Sequence, residues 1–75
     1  MQDDPQQTVA RNLRRLREDR GLTQDELGQR AAMADGREIR AIENEGRDPG
    51  TRVVVRLARA LGVSIAALFD GLERP

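Results

Sequence analysis

The chain is 75 residues long, and folding a domain of that size buries only about 60% of the surface its unfolded chain exposes. It sets 13 basic residues, all of them arginine, against 13 acids, and it has no cysteine, histidine, lysine, tyrosine or tryptophan. That inventory excludes disulfides, the usual zinc sites, thiol nucleophiles and imidazole acid–base chemistry, so a non-enzymatic chain without cofactor or metal is expected.

The first eight residues, MQDDPQQT, are polar and acidic. They read as a short extension and not as a signal peptide. No apolar run approaches the roughly 20 residues of a membrane span, so a cytoplasmic protein that makes no use of a membrane is expected.

Asp4, Pro5 and Gln7 supply a cap, a proline suited to the first helical position and a glutamine three residues after the cap, which starts a helix. Val9, Leu13 and Leu16 then repeat at helical spacing until Gly21 offers a left-handed stop. Thr23 to Glu26 is a capping box that opens a second, two-turn helix with Leu27 and Ala31 one turn apart. Asp35, Gly36, Arg37 and Glu38 repeat the device for a third helix, whose apolar positions are Ile39 and Ile42. Beyond the turn-rich GRDPG, a fourth helix from about Thr51 to Leu61 presents Val53, Val54, Leu57, Ala58 and Leu61 on one side, and Gly62 ends it. Ser64 caps a last short helix with Ile65, Leu68 and Phe69, stopped by Gly71. The pattern predicts one all-α domain of five helices over residues 1–75, with its core over about 9–70.

Two short helices joined by a tight turn are the layout of a helix-turn-helix. On the third helix, at 100° per residue, the face opposite Ile39 and Ile42 collects Arg37, Arg40, Ala41 and Asn44. Each has a use at a base edge or phosphate: the arginines for guanine O6 and N7, Ala41 for a thymine methyl, Asn44 for adenine. Glu38 either completes its capping box or accepts from cytosine N4. Gly36 either lets a sugar-phosphate chain come close or is simply a poor helix residue in a tight turn. Arg11 on the first helix and Arg47 after the third are candidate phosphate contacts, the alternative for each being a solvated surface arginine.

Taken together, LRRLREDRGLTQDELGQRA, IRAIENE, RDP and VVRLARALGVSIAALF resemble the Cro/C1-type (XRE-like) helix-turn-helix family of bacterial and phage transcriptional regulators. The resemblance spans roughly residues 9 to 70. It implies a compact five-helix, lambda-repressor-like domain that binds double-stranded DNA with its third helix in the major groove. It further implies that Thr23 and Gln24 lie at the phosphate backbone, that Gln24 supports the third helix, and that Glu43 pairs with Arg17 as a structural salt bridge. The chain departs from the family pattern in two places. Ala32-Met33-Ala34-Asp35 makes the turn one residue longer, and Glu45 stands where the family commonly has glycine, with Gly46 one residue late.

Val63, Ile65, Leu68, Phe69 and Leu72 give the C-terminal end more apolar surface than a last helix needs. They either close the core or form a two-fold interface, and a homodimer on a palindromic operator is the expected assembly. The rival expectation is a protein-interaction module of the same fold, with an unknown protein partner and little DNA binding, suggested by the zero net charge and the longer turn.

Overall fold

A computed structural model describes residues 5–71. Proline at the first helical position opens α1 (Pro5–Asp19), whose inner face carries Val9, Leu13 and Leu16 and also buries Thr8 and Asn12. The helix stops where expected. Gly21 has φ +65°, its N–H donates to the Glu18 carbonyl at 2.9 Å, and the Leu22 N–H reaches back to the Arg17 carbonyl at 3.2 Å. These two bonds satisfy carbonyls that a helix end would otherwise leave open. The Asp4 cap expected ahead of Pro5 lies outside the described residues.

The second helix, α2 (Gln24–Arg30), begins on the full capping box: the Thr23 hydroxyl accepts from the Glu26 N–H, and the Glu26 carboxylate accepts from the Thr23 N–H. It is followed by α3 (Arg37–Glu45), α4 (Gly50–Leu61) and α5 (Ile65–Leu68). No strand occurs among the described residues. The third helix packs on both α1 and α2, while α5 closes the core between α1 and α4. Leu13, Leu27, Ile39, Ile42, Leu57 and Leu68 are wholly enclosed, so every helix contributes at least one side chain to the same core.

Asn12 fastens the two ends of the fold. Its Nδ2 donates to the carbonyls of Leu68 at 2.9 Å and Asp70 at 3.0 Å, giving partners to carbonyls at the end of α5. The outcome at α5 differs from the sequence pattern in two respects. The Ser64 side chain makes no cap bond, its carbonyl instead accepting the Ala67 N–H at 3.0 Å, and the helix ends at Leu68, before Gly71. Four residues form a single turn, which α1 holds from outside through Asn12.

The turn between α2 and α3 is built from backbone bonds and close glycines. Ala32 takes the left-handed conformation with φ +62°, a region where alanine is strained by about 1 kcal/mol and glycine is not. The Met33 N–H closes back on the Gly28 carbonyl at 2.8 Å. The chain then folds onto α2 so closely that two glycines interlock. A Cβ on Gly28 would overlap the Asp35 carbonyl oxygen, and one on Gly36 would lie 2.6 Å from the Asp25 nitrogen. Gly36 is buried as a result, with its N–H donated to Asp25 Oδ1 at 2.8 Å.

This contact overturns the expected start of α3. The N-cap is Gly36, not Asp35, and that residue has no side chain with which to cap the helix. Asp35 stands one residue earlier and accepts the Arg37 N–H on Oδ1 at 2.9 Å, so Glu38 has no capping box to complete. Only a residue without Cβ fits at position 36, and the acid stands one residue before the N-cap.

Two exchanges between glycine and alanine should therefore have opposite signs. Ala32→Gly is expected to raise stability by about 0.5–1 kcal/mol by relieving the left-handed alanine. Gly28→Ala is expected to lower it by about 1–3 kcal/mol through overpacking, although alanine is the better helix former. Thermal melting of both variants reads the signs, and a stabilised Gly28→Ala protein would rule out the interlock.

Candidate nucleic-acid interface

The site is organised from inside by Glu43. Its side chain is fully enclosed, and Arg17 meets it as a fork, Nε to Oε2 at 2.8 Å and Nη2 to Oε1 at 2.9 Å. Arg17 Nη1 also donates to the Leu22 carbonyl at 2.7 Å. Gln24 Nε2 adds a bond to Glu43 Oε1 at 3.1 Å, and Arg14 Nε approaches the same oxygen at 3.4 Å. One carboxylate on α3 thus ties down α1, α2 and the segment between them. Burial pushes the Glu43 carboxyl up, but the hydrogen bonds from Arg17 and Gln24 and the arginine charges together hold it below the ordinary glutamate range.

With Ile39, Ile42 and Glu43 turned inward, the geometry of the helix turns Arg37, Arg40 and Asn44 outward, with Ala41 half-buried at their edge. Each outward side chain has a partner near its root. Arg37 Nε lies 3.2 and 3.0 Å from the two oxygens of Asp35. Arg40 Nε faces Gln24 Oε1 at 3.5 Å, and Asn44 Oδ1 accepts from Arg14 Nη2. The Gln24 amide is oriented by Glu43, which takes its nitrogen and leaves the oxygen facing Arg40. Bidentate reading of adenine needs both amide atoms of an asparagine, so Arg14 must let go of Asn44 before Asn44 can read in that way.

The remaining expected site residues fall in different places. Thr23 is exposed, with its hydroxyl engaged in the capping box. Arg11 lies on α1 along an open polar groove of about 790 Å³, which also carries Arg14, Arg15, Asn44 and Glu45. Arg47 is exposed beyond α3, its N–H bonded to the Ala41 carbonyl at 3.2 Å. Glu38 is half-buried on the flank of the helix. Gly36, read either as a close approach for a sugar-phosphate chain or as a poor helix residue in a tight turn, is packed under α2, where its missing Cβ serves helix contact.

Sequence reasoning missed Arg14. The sequence pattern gave it no role, and only the crossing of α1 with α3 brings it to Glu43 and Asn44. At the other end, Leu68 is wholly buried and so cannot serve an interface, because its side chain is what α5 contributes to the core. Val63 and Phe69 are half-buried against that core, Ile65 is 45% exposed, and Leu72 lies outside the described residues. Among the described residues no cluster of acids could hold a metal ion, and no helix is long and apolar enough to cross a membrane.

A family model described as a helix-turn-helix domain matches residues 8–70, which takes in all of α2, the turn and α3. The chain belongs to the helix-turn-helix domain family. Its helix-turn-helix fold is similar to the crystal structure of a hypothetical transcription factor, NHTF, from Neisseria, with a TM-score of 0.81 and 27% identity over 88% of this chain and 75% of that one. No curated protein matches the sequence.

The Glu43 hub has a pH signature. Its folded-state pKa is depressed, so the stability it contributes is present above the ordinary glutamate value of 4.5 and is lost as pH falls through the lower folded value. Glu43→Gln should cost about 3 kcal/mol near neutrality, because it leaves the Arg17 charge without its counter-charge. Urea titrations from pH 7 down to pH 3 should show the gap between wild type and variant narrowing below about pH 4.5. A gap that stays constant with pH would show that the Glu43 charge is not what the variant removes.

Proposed function

We propose that this helix-turn-helix protein is a sequence-specific DNA-binding transcriptional regulator that places α3 in the major groove of a roughly palindromic operator. The observation that carries the reading is the outward face of α3. Arg37, Arg40 and Asn44 project from a helix whose opposite face is locked to α1 and α2 by the Glu43 bonds and by Ile39 and Ile42. A rigid helix with adjacent fork-shaped donors is suited to base edges, because base contacts specify only when their support does not move. Arg11, Thr23, Gln24 and Arg47 are the proposed phosphate contacts, and they set the register in which Arg37, Arg40, Ala41 and Asn44 read. Glu38, with no capping box to complete, is proposed at the edge of this set, where it can accept from cytosine N4. The chain is given no catalytic role, in keeping with its lack of histidine, cysteine, lysine and tyrosine.

We also propose a homodimer. Ile65 is a large side chain left 45% exposed, and it borders an apolar groove of about 410 Å³ shared with Val9, Pro49, Val54, Val55 and Phe69. A second copy packed there by two-fold symmetry would bury that surface and set two α3 helices about 34 Å apart, one helical turn of DNA. Regulation would then follow from occupancy of the operator. A rival reading, a protein-binding module without operator recognition, is favoured by the net charge of zero.

Selection from a random duplex library separates the two. The DNA-binding reading expects a two-fold motif, affinity that falls steeply with salt, and an Arg37→Ala variant that loses about 1–3 kcal/mol and relaxes its preference at one base pair in each half. Absence of both a motif and salt-dependent binding would leave only the protein-binding module.

For the dimer, sedimentation equilibrium decides. Ile65→Glu is expected to shift the wild-type dimer to monomer and to weaken operator binding at least tenfold, while melting within a few degrees of wild type. A wild type that sediments as a monomer up to high micromolar concentration would remove this assembly.

A further inference from the structure

The pairing between Asp35 and Arg37 is placed with more constraint than an exposed ion pair usually has. Arg37 is the first residue of α3, and its side chain is 84% exposed. Asp35, two residues earlier, is held by the backbone: its Oδ1 accepts the Arg37 N–H at 2.9 Å. The same carboxylate then takes Arg37 Nε on both oxygens, at 3.2 and 3.0 Å. The turn that carries Asp35 is itself fixed by the interlock of Gly28 and Gly36, so the acceptor has little freedom to follow the arginine. An exposed pair of this kind adds little to stability. What it controls is direction.

A guanidinium has five N–H donors and can present two kinds of fork. One uses Nε with a terminal nitrogen, and the other uses the two terminal nitrogens together. With Nε committed to Asp35, only the terminal edge is open, and it faces solvent beyond the start of α3. That edge has the spacing of the O6 and N7 acceptors of guanine. The carboxylate acts a second time through its charge. It repels a phosphate oxygen that approaches Arg37, whereas the acceptor edge of guanine is uncharged.

We propose that Asp35 is a specificity-determining positioning residue, which holds Arg37 by Nε so that its terminal edge reads guanine and is withheld from phosphate. This rests on the DNA-binding reading above and deepens it. Asp35 does not touch DNA. The acid that stands one residue before the N-cap thereby serves as the support of a base-reading arginine. The cost of ordering a long exposed side chain is met before binding, and the discrimination gained is against the most abundant competitor, the sugar-phosphate backbone.

The test compares the full-length wild type with Asp35→Asn, which keeps an oxygen for the Arg37 N–H but removes the charge, and with Asp35→Glu, which keeps the charge and moves it by one methylene. Asp35→Ser, with a shorter neutral acceptor, stands in if the Asn variant does not fold. Each protein is put through selection from a random duplex library and then titrated against its enriched duplex and a scrambled one. Wild type is expected to prefer guanine at one base pair of each half by roughly tenfold or more.

Asp35→Asn should lose most of that preference while its affinity for the scrambled duplex rises several-fold. Asp35→Glu should lose preference without the rise. In the free wild-type protein, the Arg37 Nε–H resonance should exchange with water more slowly than in Asp35→Asn. Full guanine preference and unchanged scrambled-duplex affinity in Asp35→Asn would overturn the proposal while leaving DNA binding intact. A wild type that enriches no motif would instead overturn the DNA-binding reading, and this proposal with it.

Discussion

The buried carboxylate of Glu43 constrains the positions of three helices, because a charge withdrawn from water is tolerable only while its partners stay in place. Arg17 brings α1 to it, Gln24 brings α2, and Glu43 itself belongs to α3. Leu13, Leu27, Ile39 and Ile42 around it are non-directional contacts that would tolerate some sliding or rotation. The fork of Arg17 would not. A rotation of α3 by one residue's 100° would take the carboxylate away from both donors and leave the Arg17 charge nearly enclosed without a counter-charge. Packing energy holds these helices together, and the ion pair selects one of the arrangements that packing alone would allow.

That selection extends to the surface through Gln24. Since Glu43 takes the amide nitrogen, the amide oxygen is turned towards Arg40, so a buried charge decides which atom of a half-exposed side chain faces outward. The same arrangement recurs along the helix, with Asp35 at the root of Arg37 and Arg14 bonded to Asn44. Acids and amides near this face are partners of the arginines, which is how a segment with more acids than arginines keeps its cations outward.

How much of this could be read from the sequence depended on the range of the forces involved. Elements set by local chemistry were legible: the Thr23 and Glu26 box, the left-handed Gly21 and Gly62, and the 3.6-residue stripes that enclose Leu13, Ile39, Ile42 and Leu57. The pairing of Glu43 with Arg17 followed from the family resemblance and not from any local signal. Features that exist because two segments meet were not legible. Asn12 has no mark in the local sequence, and its role exists only because α5 places two carbonyls against it. Ile65 and Leu68 share one apolar stripe, and the docking of α5 alone decides that one is enclosed and the other half open. Asp35 carried every local mark of a cap, but the close approach of Gly36 to α2 outweighed them. Nothing local marked Ala32 for a left-handed position, since a glycine would normally signal it.

The zero net charge is measured on too large a scale to decide what the α3 face can do. At physiological salt a charge is felt over about 8 Å, roughly five residues' rise along a helix, whereas the acids and arginines of this chain are spread over the whole molecule. Within that distance of the middle of α3, Arg37 and Arg40, with Arg14 crossing from α1, stand against Glu38 and Glu45, while the charge of Glu43 is enclosed and already matched by Arg17. Locally the charges nearly balance, so their placement on the helix and not their sum sets what this face presents. Long-range attraction to a polyanion is weak for such a chain, since steering grows with the summed field. On the DNA-binding reading, discrimination must then come from contacts made after encounter, which is where a rigidly mounted helix with pre-oriented arginines has its advantage. On the same reading, a neutral chain with a locked α3 face would give up association rate and non-specific affinity, and would depend on the fit between that face and one sequence of base edges.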